Sequence, residues 1–194
     1  GSTIRITDVG LGAGSLWVSD GTKWRPVNGR VVLSRGQSLA ATPLVSLAGA
    51  TGKLVIPSGA GIASGSYVVP AGLLQAGFAV EVTAKVKKTG TGGTWSLVAR
   101  LGTSDIATDA AIASGSGAAT NDNDLLLRQT AEIVSQTSLI SATFAVPNQP
   151  TTGAFVDKNT TLNMGATQYL GFWIGSLNAA DTAKLLSYEI ALLG

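Results

Sequence analysis

Alternating apolar and polar residues, separated by short runs of Gly, Ser, Thr and Asn, constrain the fold of this chain more than any other feature. In FAVEVTAKVKK (78–88), one face carries Phe78, Val80, Val82, Ala84 and Val86, and the other carries Glu81, Thr83, Lys85 and Lys87. This period of two is that of a half-buried β-strand. The loop TGTGG (89–93) and a second alternating run, TWSLVARLG (94–102), follow directly. The sequence therefore predicts that these two strands pair as a β-hairpin.

Seven further apolar runs have the length of a strand, and turn residues separate them. Together with the predicted hairpin they indicate an all-β chain, folded as an antiparallel β-sandwich with jelly-roll-like topology. The competing helical pattern is NAADTAKLL (178–186), and the long segment 103–124 is a functional loop, a disordered stretch or a missed strand. The seven runs are LVSLAG (44–49), KLVIP (53–57), YVVPAGLL (67–74), LLLRQTAEIVS (125–135), LISATFAV (139–146), QYLGFWIGSL (168–177) and AKLLSYEIALLG (183–194).

Charged residues are scarce in this chain. They make up 12% of its 194 residues, about half of the ~25% usual in soluble domains, and the mean hydropathy is +0.32. Gly, Pro and Gln interrupt every long apolar stretch, so we expect neither a transmembrane helix nor membrane insertion. A net charge of +2, with only KVKK (85–88) locally basic, argues against a nucleic-acid partner. The excess of apolar surface indicates burial beyond one ordinary core.

Two of the four tryptophans flank one turn near the N-terminus. In LWVSDGTKWRPV (16–27), Asp20 and Gly21 form the turn of a predicted hairpin that carries Trp17 and Trp24. An isolated two-stranded hairpin is marginally stable, so another surface must cover the two indole rings. That surface belongs either to the core of the same chain or to sister copies in an oligomer.

The N-terminal segment also carries a resemblance to a known family. LWVSDGTKWRPVNGRVVL (16–33) resembles the segment before the C-terminal head in tail fibres and other receptor-binding proteins of tailed bacteriophages, among them contractile-tailed phages of Acinetobacter. VVPAGLL (68–74) and WSLVARLGTSDIA (95–107) are similar to strands of such heads. The resemblance covers roughly the first 35 residues well and the remainder by architecture alone.

This resemblance implies a homotrimer on the virion tail fibre, outside the cell. Residues 1–36 would form a hairpin collar, and residues 37–194 a β-sandwich head that binds a bacterial surface polysaccharide, either capsule or lipopolysaccharide. The further partners would be the upstream fibre shaft and the tail or baseplate proteins. At the trimer interface we expect Trp17 and Trp24 near the threefold axis, with Asp20 pairing between chains with Arg25 or Arg30.

The chain lacks the residues of the commonest catalytic sites. Without His or Cys it builds neither a Ser-His nor a Cys-His pair and loses the usual zinc ligands. The run that begins at Asp122 lacks the Gly and Glu that a calcium-binding EF-hand requires, so we expect a solvated turn and no metal or cofactor. A two-carboxylate glycosidase stays formally possible, and the closest pairs are Asp105 with Asp109 and Asp122 with Asp124. We nevertheless expect a binding protein and not an enzyme.

Glycan recognition needs exposed aromatic rings with polar neighbours. In QYLGFWIGS (168–176), alternation places Tyr169 and Trp173 together on one face, and Gly171 and Gly175 leave room around Trp173. Aromatic residues in such a pattern are more often part of a subunit interface or a second core, and both interpretations stay open for these two side chains. The remaining candidates for receptor binding lie in polar turns and are Asn121, Asp122, Asn123, Asp124, Asn148 and Gln149.

Two other functions stay open beside receptor binding. In a structural virion fibre or head decoration, the sandwich would only close the end of the trimer and keep its three chains in alignment. A capsule depolymerase would cleave the glycan, although so short a chain without parallel β-helix repeats argues against it.

Overall fold

A computed structural model of the chain shows an all-β protein. It describes residues 3–5, 16–19, 24–27, 29–37, 52–56, 61–90, 93–117, 123–142, 155–158, 162–175, 177 and 180–194. These residues form strands and turns, and no helix occurs among them. The predicted strand at 44–49 and the turn at 147–153 lie outside the described residues.

Within the described ranges, fifteen strands form three antiparallel sheets. The N-terminal sheet has the order β1-β2-β3, with β1 (Thr3–Arg5), β2 (Leu16–Ser19) and β3 (Trp24–Pro26). Sheet I consists of β5 (Gly52–Leu54), β6 (Ile62–Ala63), β7 (Ser66–Val69), β9 (Trp95–Gly102), β10 (Ala110–Gly117) and β14 (Gln168–Gly175). Sheet II consists of β4 (Arg30–Gln37), β8 (Ala79–Thr89), β11 (Asn123–Ile133), β12 (Leu139–Ala142), β13 (Phe155–Lys158) and β15 (Thr182–Leu193).

Strand order places β14 and β8 centrally in their sheets. Sheet I runs β10-β9-β14-β7-β6, with β5 also pairing with β14, and sheet II runs β13-β12-β11-β8-β15-β4. The apolar faces of both sheets contribute to one buried cluster. The Phe172 and Tyr188 rings join the sheets with centroids 6.1 Å apart, and the Gln129 amide of β11 bonds both the N–H and the C=O of Ser114 in β10. The molecule is therefore sandwich-like, and the jelly-roll topology stays a prediction.

The hairpin predicted between 78–88 and 94–102 is wrong, although both strands exist. β8 pairs with β11 and β15 in sheet II, whereas β9 pairs with β10 and β14 in sheet I. The alternation was interpreted correctly, because Val80, Val82, Leu97 and Leu101 are all buried. Alternation shows which face of a strand is apolar, but it does not show which strand is the partner. Two strands can bury their apolar faces either as neighbours in one sheet or in facing sheets across a core. The chain crosses from one sheet to the other between the two strands.

Other strand predictions hold with altered bounds. Segment 103–124 contains a missed strand, β10, which accounts for its length. β15 begins at Thr182, so the competing helical pattern at 178–186 is wrong over the described residues 182–186. In YVVPAGLL the strand ends at Val69, where Pro70 follows and cannot donate a ladder hydrogen bond.

At the N-terminal sheet, β2 pairs antiparallel with β3, as the Asp20-Gly21 turn predicts. Three residues separate β3 from β4, and β4 pairs with β15 in sheet II. The expected boundary between residues 36 and 37 therefore falls inside a strand of the sandwich.

The short link between β3 and β4 orients the sandwich relative to the N-terminal sheet. Arg30 pairs in register with Leu193. We call this end, where β4 starts and β15 ends, the near end. At the opposite far end, Thr89 pairs with Thr182.

Candidate functional site

The outer face of sheet I carries the two aromatic residues singled out in the sequence. Along β14, Leu170, Phe172 and Ile174 are buried in the core, whereas Tyr169 and Trp173 are only half-buried. The strict alternation places both rings on the outer side of a central strand, as the sequence predicts. They stand about 13 Å apart along the strand, because they are four positions apart.

A polar cluster lies between the two rings. The Asp105 carboxylate accepts hydrogen bonds from the Lys53 ammonium at 2.5 Å and from the Ser66 hydroxyl at 2.8 Å. Lys53 pairs in register with Trp173, and its Nζ lies 6.0 Å from the centre of the Trp173 ring. We call the surface formed by Lys53, Ser66, Asp105, Tyr169 and Trp173 the tryptophan face.

Gly171 is what allows this cluster to sit on the sheet. A Cβ at Gly171 would collide with the Ser66 hydroxyl and would lie 3.5 Å from an Asp105 carboxylate oxygen. The lack of a side chain between Tyr169 and Trp173 therefore leaves the space that the Ser66 hydroxyl occupies when it donates its hydrogen bond to Asp105. Asp105 itself adopts a left-handed backbone conformation with φ of 56°, which is uncommon for a residue other than glycine.

The β9–β10 loop, residues 103–109, delivers Asp105 to the face and is fixed at a second point. Asp109 is buried and accepts a hydrogen bond from the Ile106 N–H, and Arg100 donates one to the Asp109 carbonyl. A Cβ at Gly102 would collide with the Asp109 carboxyl group, so a second glycine accommodates this loop. Burial lowers the pKa of the Arg100 guanidinium, and the Asp109 charge partly opposes that shift.

The tryptophan face has the elements that bind a sugar. A half-exposed indole can stack on the apolar face of a pyranose ring, while a carboxylate and an ammonium beside it exchange hydrogen bonds with the hydroxyls. Asp105 and Lys53 keep side-chain exposures of 14% and 17%, so part of this pair can still be reached from solvent. Their mutual ion pair fixes both groups in place before any ligand arrives.

Sequence reasoning identified the rings but missed Lys53 and Ser66 and considered Asp105 only as a catalytic carboxylate. These three residues come from β5, β7 and the β9–β10 loop, which are far apart in the sequence. Only the pairing of β14 with both β5 and β7 brings them together.

The other predicted receptor-binding residues do not lie on the tryptophan face. Asp124 is on the outer face of sheet II, where it forms an exposed ion pair with Lys85 at 3.6 Å. Asn123 opens β11 opposite Lys88 in register. Asn121, Asp122, Asn148 and Gln149 lie outside the described residues.

Trp17, expected at the trimer axis, is 3% exposed in a single chain. It belongs to the same buried cluster as Val31 and Leu33 of β4, so its burial does not require a sister copy. Trp24 and Arg25 lie in β3, with side chains outside the described part, and Asp20 lies outside it entirely. A place for these residues at a trimer interface stays a prediction.

Arg30 has partners within its own chain. Its guanidinium contacts Glu81 at 2.7 Å and Glu189 at 2.5 Å, and Arg128 contacts the other oxygen of Glu81 at 3.2 Å. Burial alone would raise the pKa of Glu81, but the hydrogen bonds from Arg30 and Arg128 outweigh it and hold that pKa below its ordinary value. The hydrogen bonds that Arg30 donates, first to Glu189 and then to Glu81, raise the pKa of Arg30.

Comparisons with protein-family models, curated proteins and solved structures each find no match to this chain. Within the described ranges, no three acidic side chains gather in a way that would hold a metal ion. The same residues include no helix long and apolar enough to cross a membrane.

Proposed function

We propose that this protein is the C-terminal part of a bacteriophage tail fibre and attaches the virion to its host by binding a cell-surface glycan without cleaving it. The tryptophan face is the binding site. Trp173 stacks on a sugar ring, Asp105 accepts hydrogen bonds from its hydroxyls, Lys53 donates one, and Tyr169 contacts a second sugar unit.

One observation carries this assignment. An aromatic ring, a fixed ion pair and a bare glycine backbone meet on the outer side of a sheet whose inner side already supplies the core. Trp173 and Tyr169 are not needed to fill that core, because Leu170, Phe172 and Ile174 of the same strand do so. Half-exposed rings beside fixed polar groups are typical of ligand sites.

The two carboxylates of the β9–β10 loop, those of Asp105 and Asp109, support glycan binding in preference to glycan hydrolysis. Retaining and inverting glycosidases need one carboxyl group to donate a proton and another to act as nucleophile or base. Here both oxygens of Asp105 accept hydrogen bonds, and the buried Asp109 is 2% exposed beneath its own loop. Neither carboxyl group is placed to serve a substrate as a free acid or base.

A trimeric assembly is part of the proposal. The residue Val18 on β2 is 38% exposed, and Val27 after β3 is 46% exposed, in a chain with few charges to keep such surface soluble. Contact between N-terminal sheets of sister copies would cover them. A trimer with three copies of one weak site then binds the host surface more firmly than a single chain. Once one site is bound, the other two are held close to the surface and bind at a high effective concentration.

The test is adsorption of the purified chain to encapsulated and lipopolysaccharide-bearing bacterial strains, followed by an array of their purified polysaccharides. We expect Trp173→Ala and Asp105→Asn to weaken binding by roughly tenfold or more per site, about 1.4 kcal/mol. Val134→Ala is the matched control, because Val134 is an exposed apolar residue directly after β11 of the opposite sheet.

Equal binding by wild type and Trp173→Ala, with both folded, would refute the tryptophan face as the site. Release of reducing ends from the bound polysaccharide would refute the non-catalytic role. Adsorption that fails on every strain, with phage assembly intact, would favour a structural fibre.

A further inference from the structure

The outer face of sheet II has a cluster of lysines at its far end. Lys87 of β8 and Lys184 of β15 are direct partners in the antiparallel ladder, and Lys85 lies two residues further along β8 on the same face. Val86, Ala183 and Leu185 are buried, so alternation turns all three lysines outward. We call Lys85, Lys87 and Lys184 the lysine patch.

Placing Lys87 opposite Lys184 is electrostatically unfavourable. Side chains directly opposite each other in an antiparallel pair lie about 5 Å apart at Cβ, and like charges there destabilise the sheet. One carboxylate is close: Asp124 of β11 is the partner of Lys87 in register on its other side, and it forms an ion pair with Lys85 at 3.6 Å with both side chains 47% exposed. Among the described side chains, Lys87 and Lys184 have no ion-pair partner.

The rest of the same face is arranged differently. Towards the near end, Glu81 and Glu189 are matched by Arg30 and Arg128 in one connected network. Arg30 and Arg128 are therefore neutralised towards the near end, whereas three lysines share one carboxylate at the far end. In a chain with only 13 Lys and Arg, these three lysines side by side form a locally basic surface.

From this segregation of charge we propose that the lysine patch binds the carboxylate or phosphate groups of an acidic polysaccharide on the host surface. The patch lies at the far end of the sandwich, away from the end where β4 follows the N-terminal sheet, and in the proposed fibre this far end would face the host. Anions held there relieve the repulsion between Lys87 and Lys184, so ligand binding and sheet stability are coupled. The choice of a surface polysaccharide as the polyanion rests on the proposed function.

The lysine patch and the tryptophan face lie on opposite sheets and recognise different chemistry. The tryptophan face recognises ring faces and hydroxyls, whereas the lysine patch recognises charge. A polymer held at both surfaces would therefore be acidic.

The experiment measures binding of the full chain to polygalacturonate, with dextran as the uncharged polymer, at increasing salt. At about 50 mM salt, where charges are weakly screened, we expect Lys85→Gln/Lys87→Gln/Lys184→Gln to weaken polygalacturonate binding by roughly tenfold or more. The matched control Lys85→Arg/Lys87→Arg/Lys184→Arg keeps the charge and should keep the binding. Duplex DNA of equal charge serves as the competing polyanion.

Three results would overturn the proposal: no binding of polygalacturonate at low salt, equal binding by the glutamine triple variant, or tighter binding of DNA than of polygalacturonate. Trp173→Ala is run in parallel to separate this proposal from the proposed function. If the tryptophan face is not a glycan site, Trp173→Ala adsorbs to cells like wild type, while the glutamine variant still loses polygalacturonate. If only the lysine patch is wrong, Trp173→Ala loses adsorption to cells, while the glutamine triple variant binds polygalacturonate like wild type.

Discussion

At the scale of single residues, the tryptophan face depends on an absent side chain as much as on the side chains present. Alternation along β14 was enough to place Tyr169 and Trp173 on the outer face. It did not predict that Asp105 would lie between them, because a loop carboxylate reaches this position only when Asp105 takes a positive φ and Gly171 leaves space. No periodic pattern encodes either condition.

Gly171→Ala should disturb the face without touching the rings. The new Cβ would collide with the Ser66 hydroxyl, which donates a hydrogen bond to Asp105, so we expect a loss of about 1–3 kcal/mol in unfolding free energy and weaker glycan binding. Urea denaturation and the polysaccharide array measure the two effects. Gly115→Ala is the control, because its Cβ would meet Leu125 and Leu127 at ordinary distances of 3.5–3.7 Å. Equal losses in both variants would contradict the account.

Glu81 should make stability depend on acid pH. Its pKa is lower in the folded chain than in the unfolded chain, so its stabilising effect is complete above its ordinary pKa and is lost as the pH falls through the folded value. We therefore expect wild type to lose more stability than Glu81→Gln between about pH 6 and pH 3.

Urea midpoints at the two pH values measure this difference. Glu132→Gln, which changes an exposed glutamate on the same sheet, should behave like wild type. A Glu81→Gln variant with the pH dependence of wild type would show that Arg30 and Arg128 do not hold this carboxylate.

At the scale of elements, strands were predictable and their partners were not. The inner faces of β8 and β9 follow from the alternation, but the predicted hairpin between them is wrong because the chain changes sheet after Gly90.

A buried ion pair lies next to this crossing. A Cβ at Gly90 would collide with Asp181, which forms an ion pair with Lys88 at 3.3 Å. The Lys88 side chain is 0% exposed and that of Asp181 is 1% exposed. The alternation places position 88 inside the sandwich. A lysine can occupy this buried position because Asp181 is its ion-pair partner, and the sequence alone does not reveal that pairing.

Breaking this buried pair should cost far more than breaking an exposed one. We expect Lys88→Met to lower the unfolding free energy by about 3–5 kcal/mol, because it leaves the Asp181 charge buried, and Lys88→Met/Asp181→Leu to recover most of that loss. Chemical denaturation of the single and double variants gives the coupling energy. Lys85→Gln, at the exposed pair with Asp124, should cost less than about 1 kcal/mol. If the losses of unfolding free energy from the single substitutions at positions 88 and 181 simply add in the double variant, the two residues do not act as a buried ion pair.

At the scale of the whole molecule, the all-β class follows from turn spacing and strand period, and the strands do form two large antiparallel sheets. The pairing of β14 with three neighbours, which creates the tryptophan face, is a long-range arrangement that local patterns do not specify. The burial of Trp17 within one chain shows the same limit, since the sequence left open which surface would cover that ring.

The proposed assembly predicts the mass in solution. Sedimentation or light scattering should give a species about three times the 19.5 kDa chain mass, because the exposed Val18 and Val27 are covered between copies. Val18→Asp/Val27→Asp should shift the distribution towards single chains. A wild-type protein that sediments only as a 19.5 kDa species would contradict the trimer but leave the tryptophan face untouched.

The most direct measurement of glycan contact is fluorine NMR of the protein labelled with 5-fluorotryptophan, with Trp173→Phe used to assign one of the four tryptophan signals. On addition of a polysaccharide that the protein binds, the Trp173 signal should shift or broaden, whereas the signal of Trp95, 1% exposed in the core, should stay unchanged. A Trp173 signal that does not move at saturating polysaccharide would contradict the tryptophan face as the site of host recognition.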